Sequence, residues 1–216
     1  MKKRIKIEQS DYTENPRREW DNLGTMVCFH KRYDLGDKHQ LRSNDFDSWQ
    51  ELEKHLIKKM GAVVILPLYL YDHGGITMST GPFDCPWDSG QVGFIYVNRE
   101  TLQKEYGVKK VTQKFKEKII EYLISEVKTY DQYLTGDVYE FTIESAIEMV
   151  KLSREDFNAG KFENVDDEIE WELEDSCGGF YGLSIDNGIY DHADATKEAI
   201  QLALDSLGEW IEYEIE

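Results

Sequence analysis

Hydrophobic positions along this 216-residue chain keep either a helical or a strand period, and each period predicts an element where it holds. Trp49, Leu52, Leu56, Ile57 and Met60 keep helical spacing behind Ser48-Trp49-Gln50-Glu51. That tetrapeptide reads as a capping box in which Ser48 accepts from an orphan N–H and Glu51 reaches back to the cap. Gly61 stands where a left-handed residue ends such a helix. Residues 62–71 are β-branched and aromatic, and Asp72-His73-Gly74-Gly75 then supplies a turn and 76–80 a partner strand, which together predict a hairpin. Pro67 cannot donate to a ladder, so its strand is expected at a sheet edge or a bulge. Further strands are expected at 25–30, 91–97 and 138–143, with Asn98 capping a helix over 99–106. The longest helical pattern, 111–134, sets Val111, Phe115, Ile119, Leu123, Val127, Tyr130 and Leu134 on one stripe and predicts the main helix packed on a sheet.

Toward the end of the chain Ile169, Trp171 and Leu173 alternate with Glu168, Glu170, Glu172 and Glu174, which predicts a half-buried strand with the apolar set inward and the carboxylates outward. Gly178 and Gly179 suit a bulge or tight turn, with Phe180 and Tyr181 packing beside it. A C-terminal helix from about residue 193 would put Ala199, Ala203, Leu207, Trp210 and Ile211 on one side and Asp205, Glu209, Glu212 and Glu216 on the other. Residues 144–165 fit a short helix through Ile147, Val150 and Leu152 or a loop around 158–160, and read as an insertion. Strands and helices do not alternate one for one, so the expected class is α+β: a mostly antiparallel sheet with a long central helix and a C-terminal helix packed on it. No repeat or low-complexity linker divides the chain, and residues 1–216 are read as a single acidic domain.

Composition narrows the class. Hydrophobic residues at 40%, with 13 Tyr and 5 Trp, are too many for a disordered chain. Basic residues 1–7 are followed by Glu8-Gln9-Ser10-Asp11 rather than an apolar stretch, so no export signal is expected, and the apolar run 62–71 is about half a membrane span. Cys28, Cys85 and Cys177 form neither a disulfide framework nor a metal knuckle, which suits a reducing cytoplasm.

Charge changes the picture more. The net charge is −18, yet residues 1–136 hold 20 acidic and 21 basic side chains, whereas 137–216 hold 23 acidic and four basic. Such asymmetry points to an interaction surface, with a solvated acidic face as the plainer reading. The candidate partner-binding residues are Asp166, Asp167, Glu168, Glu170, Glu172, Glu174 and Asp175. Same-face carboxylates on a strand recur every 6.6–6.8 Å or so, a linear spacing that imitates nucleic-acid phosphates and suits a basic, nucleic-acid-binding protein as partner. A ladder of like charges needs a basic neighbour or a function that offsets the repulsion.

Candidate chemistry is sparse. The Asp72-His73 turn and loop 81–90 could make Cys85 a nucleophile with His73 or His30 as base, or could bring His30, Asp72, His73, Cys85 and Asp88 together as a metal or thiol site. No HExxH, HxH or CxxC spacing supports either, and the plainer reading is a rigid loop with Trp87 packed down. Residues 177–182 match no glycine-rich phosphate loop, so nucleotide binding and cofactors are not expected. The lysines of 109–118 are outweighed by the overall sign of the chain, which argues against direct nucleic-acid binding.

Several segments carry a resemblance: Pro16-Arg17-Arg18-Glu19-Trp20-Asp21-Asn22-Leu23-Gly24-Thr25-Met26-Val27-Cys28-Phe29-His30, Tyr71-Asp72-His73-Gly74-Gly75-Ile76, Cys85-Pro86-Trp87-Asp88-Ser89-Gly90-Gln91-Val92-Gly93-Phe94-Ile95 and Tyr130-Asp131-Gln132-Tyr133-Leu134-Thr135-Gly136-Asp137-Val138-Tyr139, with Asp175-Ser176-Cys177 and Phe180-Tyr181-Gly182. Together they resemble a family of uncharacterised proteins of bacteriophages and mobile genetic elements. The resemblance implies no activity and no catalytic residues. It implies a phage accessory protein in the host cytoplasm, of the kind that inhibits host nucleases, restriction enzymes or CRISPR effectors, and leans against an enzyme. A structural, self-associating phage protein, joined through the Pro67 region, is the remaining alternative.

Overall fold

The computed structural model describes residues 1–11, 13–108, 110–151, 158–159 and 166–215, the side chains of 148–151 and 166–168 excepted. The elements are β1 (Lys2–Gln9), α1 (Pro16–Glu19), β2 (Thr25–Cys28), α2 (Trp49–Lys58), β3 (Ala62–Asp72), β4 (Ile76–Ser79), β5 (Ser89–Asn98), α3 (Arg99–Tyr106), α4 (Gln113–Thr135), β6 (Val138–Lys151), β7 (Asp166–Tyr181), α5 (Ile189–His192), α6 (Lys197–Asp205) and β8 (Ile211–Glu214). Every strand pair is antiparallel, and the class is α+β. The chain gathers into two compact units, one of Glu14–Gly136 and one of Met1–Thr13 with Asp137–Glu216. No linker marks this division in the sequence; one end of it falls at Gly136, which closes α4 in the left-handed region at φ +73°.

In the Glu14–Gly136 unit the sheet runs β2-β5-β3-β4. The stripe Ile119, Leu123, Val127 and Tyr130 of α4 packs with Met26, Leu68 and Ile95, while Leu52 and Leu56 of α2 pack with Val27, Phe94 and Tyr96. Because β5 is covered on both faces, it reads as a continuous apolar run rather than an alternation. Strand β3 lies inside the sheet, not at its edge as Pro67 suggested. Strand β4 begins pairing only at Tyr69, however, and a register shift at Leu68/Tyr69 directly follows the proline. Helix α2 is capped as expected by Ser48, which accepts from Glu51 N, but the Glu51 carboxylate accepts from Asp47 N rather than from the cap residue. Gly93 is required because a Cβ there would stand 1.9 Å from the Val27 carbonyl oxygen.

A buried ion network ties this unit together. The Arg17 side chain, 1% exposed, donates from Nε and Nη2 to Asp37 at 2.9 and 2.7 Å, from Nη1 to Glu126 of α4 at 2.9 Å, and from Nη2 to the Gly24 carbonyl at 2.7 Å. Glu126 also accepts from Leu23 N at 2.7 Å and from Gly24 N, and Asp37 from Met26 N at 2.8 Å. Burial opposes the guanidinium charge, but the bonds to Asp37 and Glu126 outweigh it and raise the Arg17 pKa.

In the other unit the sheet runs β7-β6-β1-β8. Ile5 and Ile7 of β1 meet Phe141 and Ile143 of β6, and Ile189 of α5 with Ile200 and Ala203 of α6 complete the core. Gly179, at φ +85°, is the extra residue where Phe180 and Gly178 pair with Tyr139 and Glu140, so the expected bulge forms and Phe180 is buried. The C-terminal helix is shorter than its stripe suggested. It stops at Asp205, Gly208 turns at φ +81° and donates to the Ile7 carbonyl at 2.8 Å, and the chain returns as β8 beside β1. Leu207, Trp210 and Ile211 therefore leave the helix, and Glu209 and Glu212 lose helical pitch. Residues 144–151 continue β6 rather than forming a helix; most of 152–165, the rest of the proposed insertion, lies outside the described residues.

Replacing Arg17 by Met strands two largely buried carboxylates and is expected to destabilise the protein by about 3–5 kcal/mol in chemical denaturation. Lys3→Met, whose partners Glu174 and Asp194 are 37% and 71% exposed and can rehydrate, is expected to cost less than about 2 kcal/mol.

Candidate functional site

Two places could act on another molecule. The first is β7. It is the outermost strand of its sheet, and β1 accompanies β6 only as far as the Lys3↔Ser145 pair, so Ala146–Trp171 and the pairs beyond form a two-stranded ribbon. Glu170, Glu172, Glu174 and Asp175 are exposed. Asp166, Asp167 and Glu168 belong to the strand, but their side chains lie outside the described residues.

The two faces of β7 are the reverse of the sequence expectation. Glu172 lies in the row Ser145–Lys3–Tyr213, the side on which Ile5, Ile7, α5 and α6 build the core. Leu173 lies in the row Glu144–Arg4–Glu212, the opposite side, where Ile169 is 47% and Leu173 62% exposed. Helices α5 and α6 do not extend over the ribbon, so the inward side of β7 is left to solvent and suits carboxylates. On the other side Arg4 lies between Trp171 and Trp210, its guanidinium carbon 4.4 and 4.2 Å from the ring centroids, with Nε 2.6 Å from Glu144. This stack shelters Trp171 without a hydrophobic core.

Strand β1 is the element the sequence reading missed. Its signal is the alternation of Lys3, Ile5 and Ile7 with Lys2, Arg4 and Lys6, a strand period hidden in what looked like a basic leader. It brings the basic neighbour the ladder needs. Lys3 Nζ donates to Glu174 at 2.7 Å and Asp194 at 2.6 Å, Lys2 pairs with Glu212, and Lys6 with Glu8. The bonds from Lys3 and then Ser145 hold the Glu174 carboxyl below its usual range.

The second place is a cleft of about 940 Å³ in the Glu14–Gly136 unit. Strand β2 pairs with β5 over Thr25–Cys28 and adds one further bond, Phe29 N to the Val92 carbonyl at 2.7 Å, before the chain swings away. It returns at Gly36, which bridges to Val27 and donates its N–H to the Tyr130 hydroxyl at 3.0 Å. The cleft opens between this excursion and the start of β5. His30, Asp72 and Asp88 line it, as do His39 and Trp87. Asp72 accepts from Arg32 and from the Tyr33 hydroxyl, and the bond from Arg32 draws its carboxyl below the usual range.

His73 and Cys85 join Asp88 rather than each other: His73 Nδ1 is 3.1 Å and Cys85 Sγ 3.8 Å from its Oδ2. A carboxylate therefore stands where a thiol nucleophile would need an imidazole. Among the described residues no three His, Cys, Asp or Glu side chains could hold a metal ion. Trp87, expected to pack down, is 92% exposed at the cleft rim. Also among the described residues, no helix is long and apolar enough to cross a membrane.

Burial pushes the Cys28 thiol up to about 12, with Asp37 adding to the effect, whereas Cys177 is exposed. Iodoacetamide at neutral pH is therefore expected to modify Cys177 in the native protein and to reach Cys28 only after unfolding, as read by peptide mass mapping.

Comparison of the chain with protein-family models, with curated proteins and with solved structures finds no match in any of the three.

Proposed function

We propose that the chain is a non-enzymatic accessory protein of a phage or mobile element. Its acidic unit binds, and so inhibits, a basic nucleic-acid-binding host protein such as a defence nuclease. The observation that carries this reading is where the charge sits. The unit of Met1–Thr13 and Asp137–Glu216 contains 25 acidic and eight basic residues, while Glu14–Gly136 contains 18 and 17. The four cations of β1 are each engaged by a carboxylate of their own unit, so little positive charge is left to meet a partner. Glu170, Glu172 and Glu174 recur at strand spacing on an outermost strand, where charged side chains also discourage pairing with a second copy of the same edge. A basic surface meets attraction there, and a like-charged copy meets repulsion.

The test is capture from host lysate with the retained protein identified and challenged with duplex DNA. A basic nucleic-acid-binding protein should be retained, displaced by the DNA, and released at 1 M salt, where the Debye length falls to about 3 Å. Replacing Glu170, Glu172 and Asp175 by their amides should weaken capture at least about tenfold, a loss of roughly 1.4 kcal/mol. The same change at Glu198, Asp205 and Glu209 alters net charge equally and should cost less. Equal losses would leave only bulk electrostatics; retention of no basic partner would defeat the proposal.

A further inference from the structure

Among the described residues β7 pairs with β6 alone, and no strand lies along its other side. Every second residue of an antiparallel edge strand turns its N–H and C=O away from the sheet, and a row of such groups is a template for another chain. The template here is long and regular. Register with β6 is unbroken from the Lys151↔Asp166 pair to the Glu144↔Leu173 pair, and the next pair, Ile143↔Asp175, leaves Glu174 as an extra residue. That bulge ends the regular stretch.

The two faces beside this edge differ in chemistry. On one, the exposed side chains of Ile169 and Leu173 flank Trp171, whose ring stacks on Arg4. Contiguous apolar side chains left in water on a folded unit mark a surface that something covers. On the other face, Glu174 is bonded to Lys3 and Ser145, whereas Glu170 and Glu172 are exposed and form no ion pair among the described residues. An apolar row and an acidic row therefore run side by side, each repeating at roughly 6.6–6.8 Å.

We propose that the free edge of β7 receives an extended segment of the basic partner as an added strand, one in which basic and apolar residues alternate. The basic side chains lie over Glu170 and Glu172, and the apolar ones over Ile169, Trp171 and Leu173. Main-chain hydrogen bonds supply the affinity of such an addition, and the alternate side chains decide what is accepted. Opposite charges and apolar groups facing each other across strands both stabilise the pairing, and like charges oppose it. A wholly basic segment leaves Ile169 and Leu173 in water, a wholly apolar one leaves the carboxylates unmatched, and a second copy of β7 meets its own charge. The inference rests on the function proposed above and states how the partner is held: by its backbone as well as by its charge.

The probe is a synthetic peptide of alternating lysine and valine, acetylated and amidated, titrated against the whole protein by calorimetry with amide exchange followed by mass spectrometry. It should bind and slow exchange in β7. A peptide of the same composition with all its lysines before its valines has the same charge and should bind at least about tenfold more weakly. N-methyl groups on the valines block one edge of the peptide strand, and on the lysines the other. The set that faces β7 should cost at least about tenfold, and the set that faces solvent should be tolerated. Leu173→Lys places a cation in the apolar row and should weaken binding by a similar factor; if that variant fails to fold, Ile169→Lys carries the same expectation. The proposal is overturned if the block peptide binds like the alternating one, if the two methylated peptides bind alike, or if exchange in β7 is unchanged. Capture of a basic host protein would then still stand on charge alone, whereas strand-like peptide binding with no such protein captured defeats the proposed function and leaves the edge as a binding site.

Discussion

Arg17 is the residue on which the larger unit depends. A guanidinium that is almost wholly out of water is tolerable only if its donors are met, and the surrounding geometry meets them with two carboxylates and a backbone carbonyl. Those carboxylates in turn accept from the backbone of residues 23, 24 and 26, so the network fixes the turn entering β2 as well as the helix beneath it. Gly24 belongs to the same constraint, since a Cβ there would stand 2.5 Å from Leu123 of α4. The segment Pro16-Arg17-Arg18-Glu19-Trp20-Asp21-Asn22-Leu23-Gly24 is therefore a structural device, and so is Asp131, which accepts from the Thr77 hydroxyl and the Met78 N–H and ties α4 to β4. Much of the distinctive sequence of the chain is accounted for by buried polar groups finding partners.

The smaller unit solves the opposite problem, an excess of one charge. Strand β1 runs through the middle of its sheet and carries half of the unit's basic residues, so attraction is greatest at the centre and the surplus carboxylates are left at the periphery. Lys3 shows the balance. Its burial disfavours the charged form, but the bonds to Asp194 and Glu174 outweigh that cost and its pKa is raised. Stability drawn from Glu174 is present above its unfolded pKa and lost as the pH falls through the lowered folded value, so this sheet is sensitive to acid.

Local elements were legible where a single period held over several residues. Helix α4, the β3–β4 hairpin, the Asn98 cap and the glycine bulge at 179 follow from side-chain spacing and turn chemistry alone. What failed was information that a window along the chain does not contain. The alternation of 168–174 defines two faces but not which one a partner covers, and the answer depends on helices that stop short of the ribbon. The final helix was drawn too long because Leu207, Trp210 and Ile211 also fit a helical stripe, whereas Gly208 and pairing with β1 make them a turn and a strand. Of the five residues grouped by sequence as a metal or thiol site, His30, Asp72 and Asp88 line one cleft while His73 and Cys85 turn to Asp88, and His39, which no motif singles out, lines that cleft because the chain returns to β2 beside it.

The place of β1 has a consequence for how the molecule is made. Residues 2–9 leave the ribosome well before the strands they pair with, at 138–151 and 211–214, while residues 14–136 between them form a compact unit. The larger unit is complete by residue 136 and can fold as it leaves the ribosome, whereas the smaller one must wait for β8 at 211–214. Loop-closure cost grows only slowly with length, by about 0.6 kcal/mol per doubling, but it is smaller still when the intervening segment has already collapsed. Prior collapse of residues 14–136 therefore lowers the cost of joining Gln9 to Tyr139 across the long intervening segment.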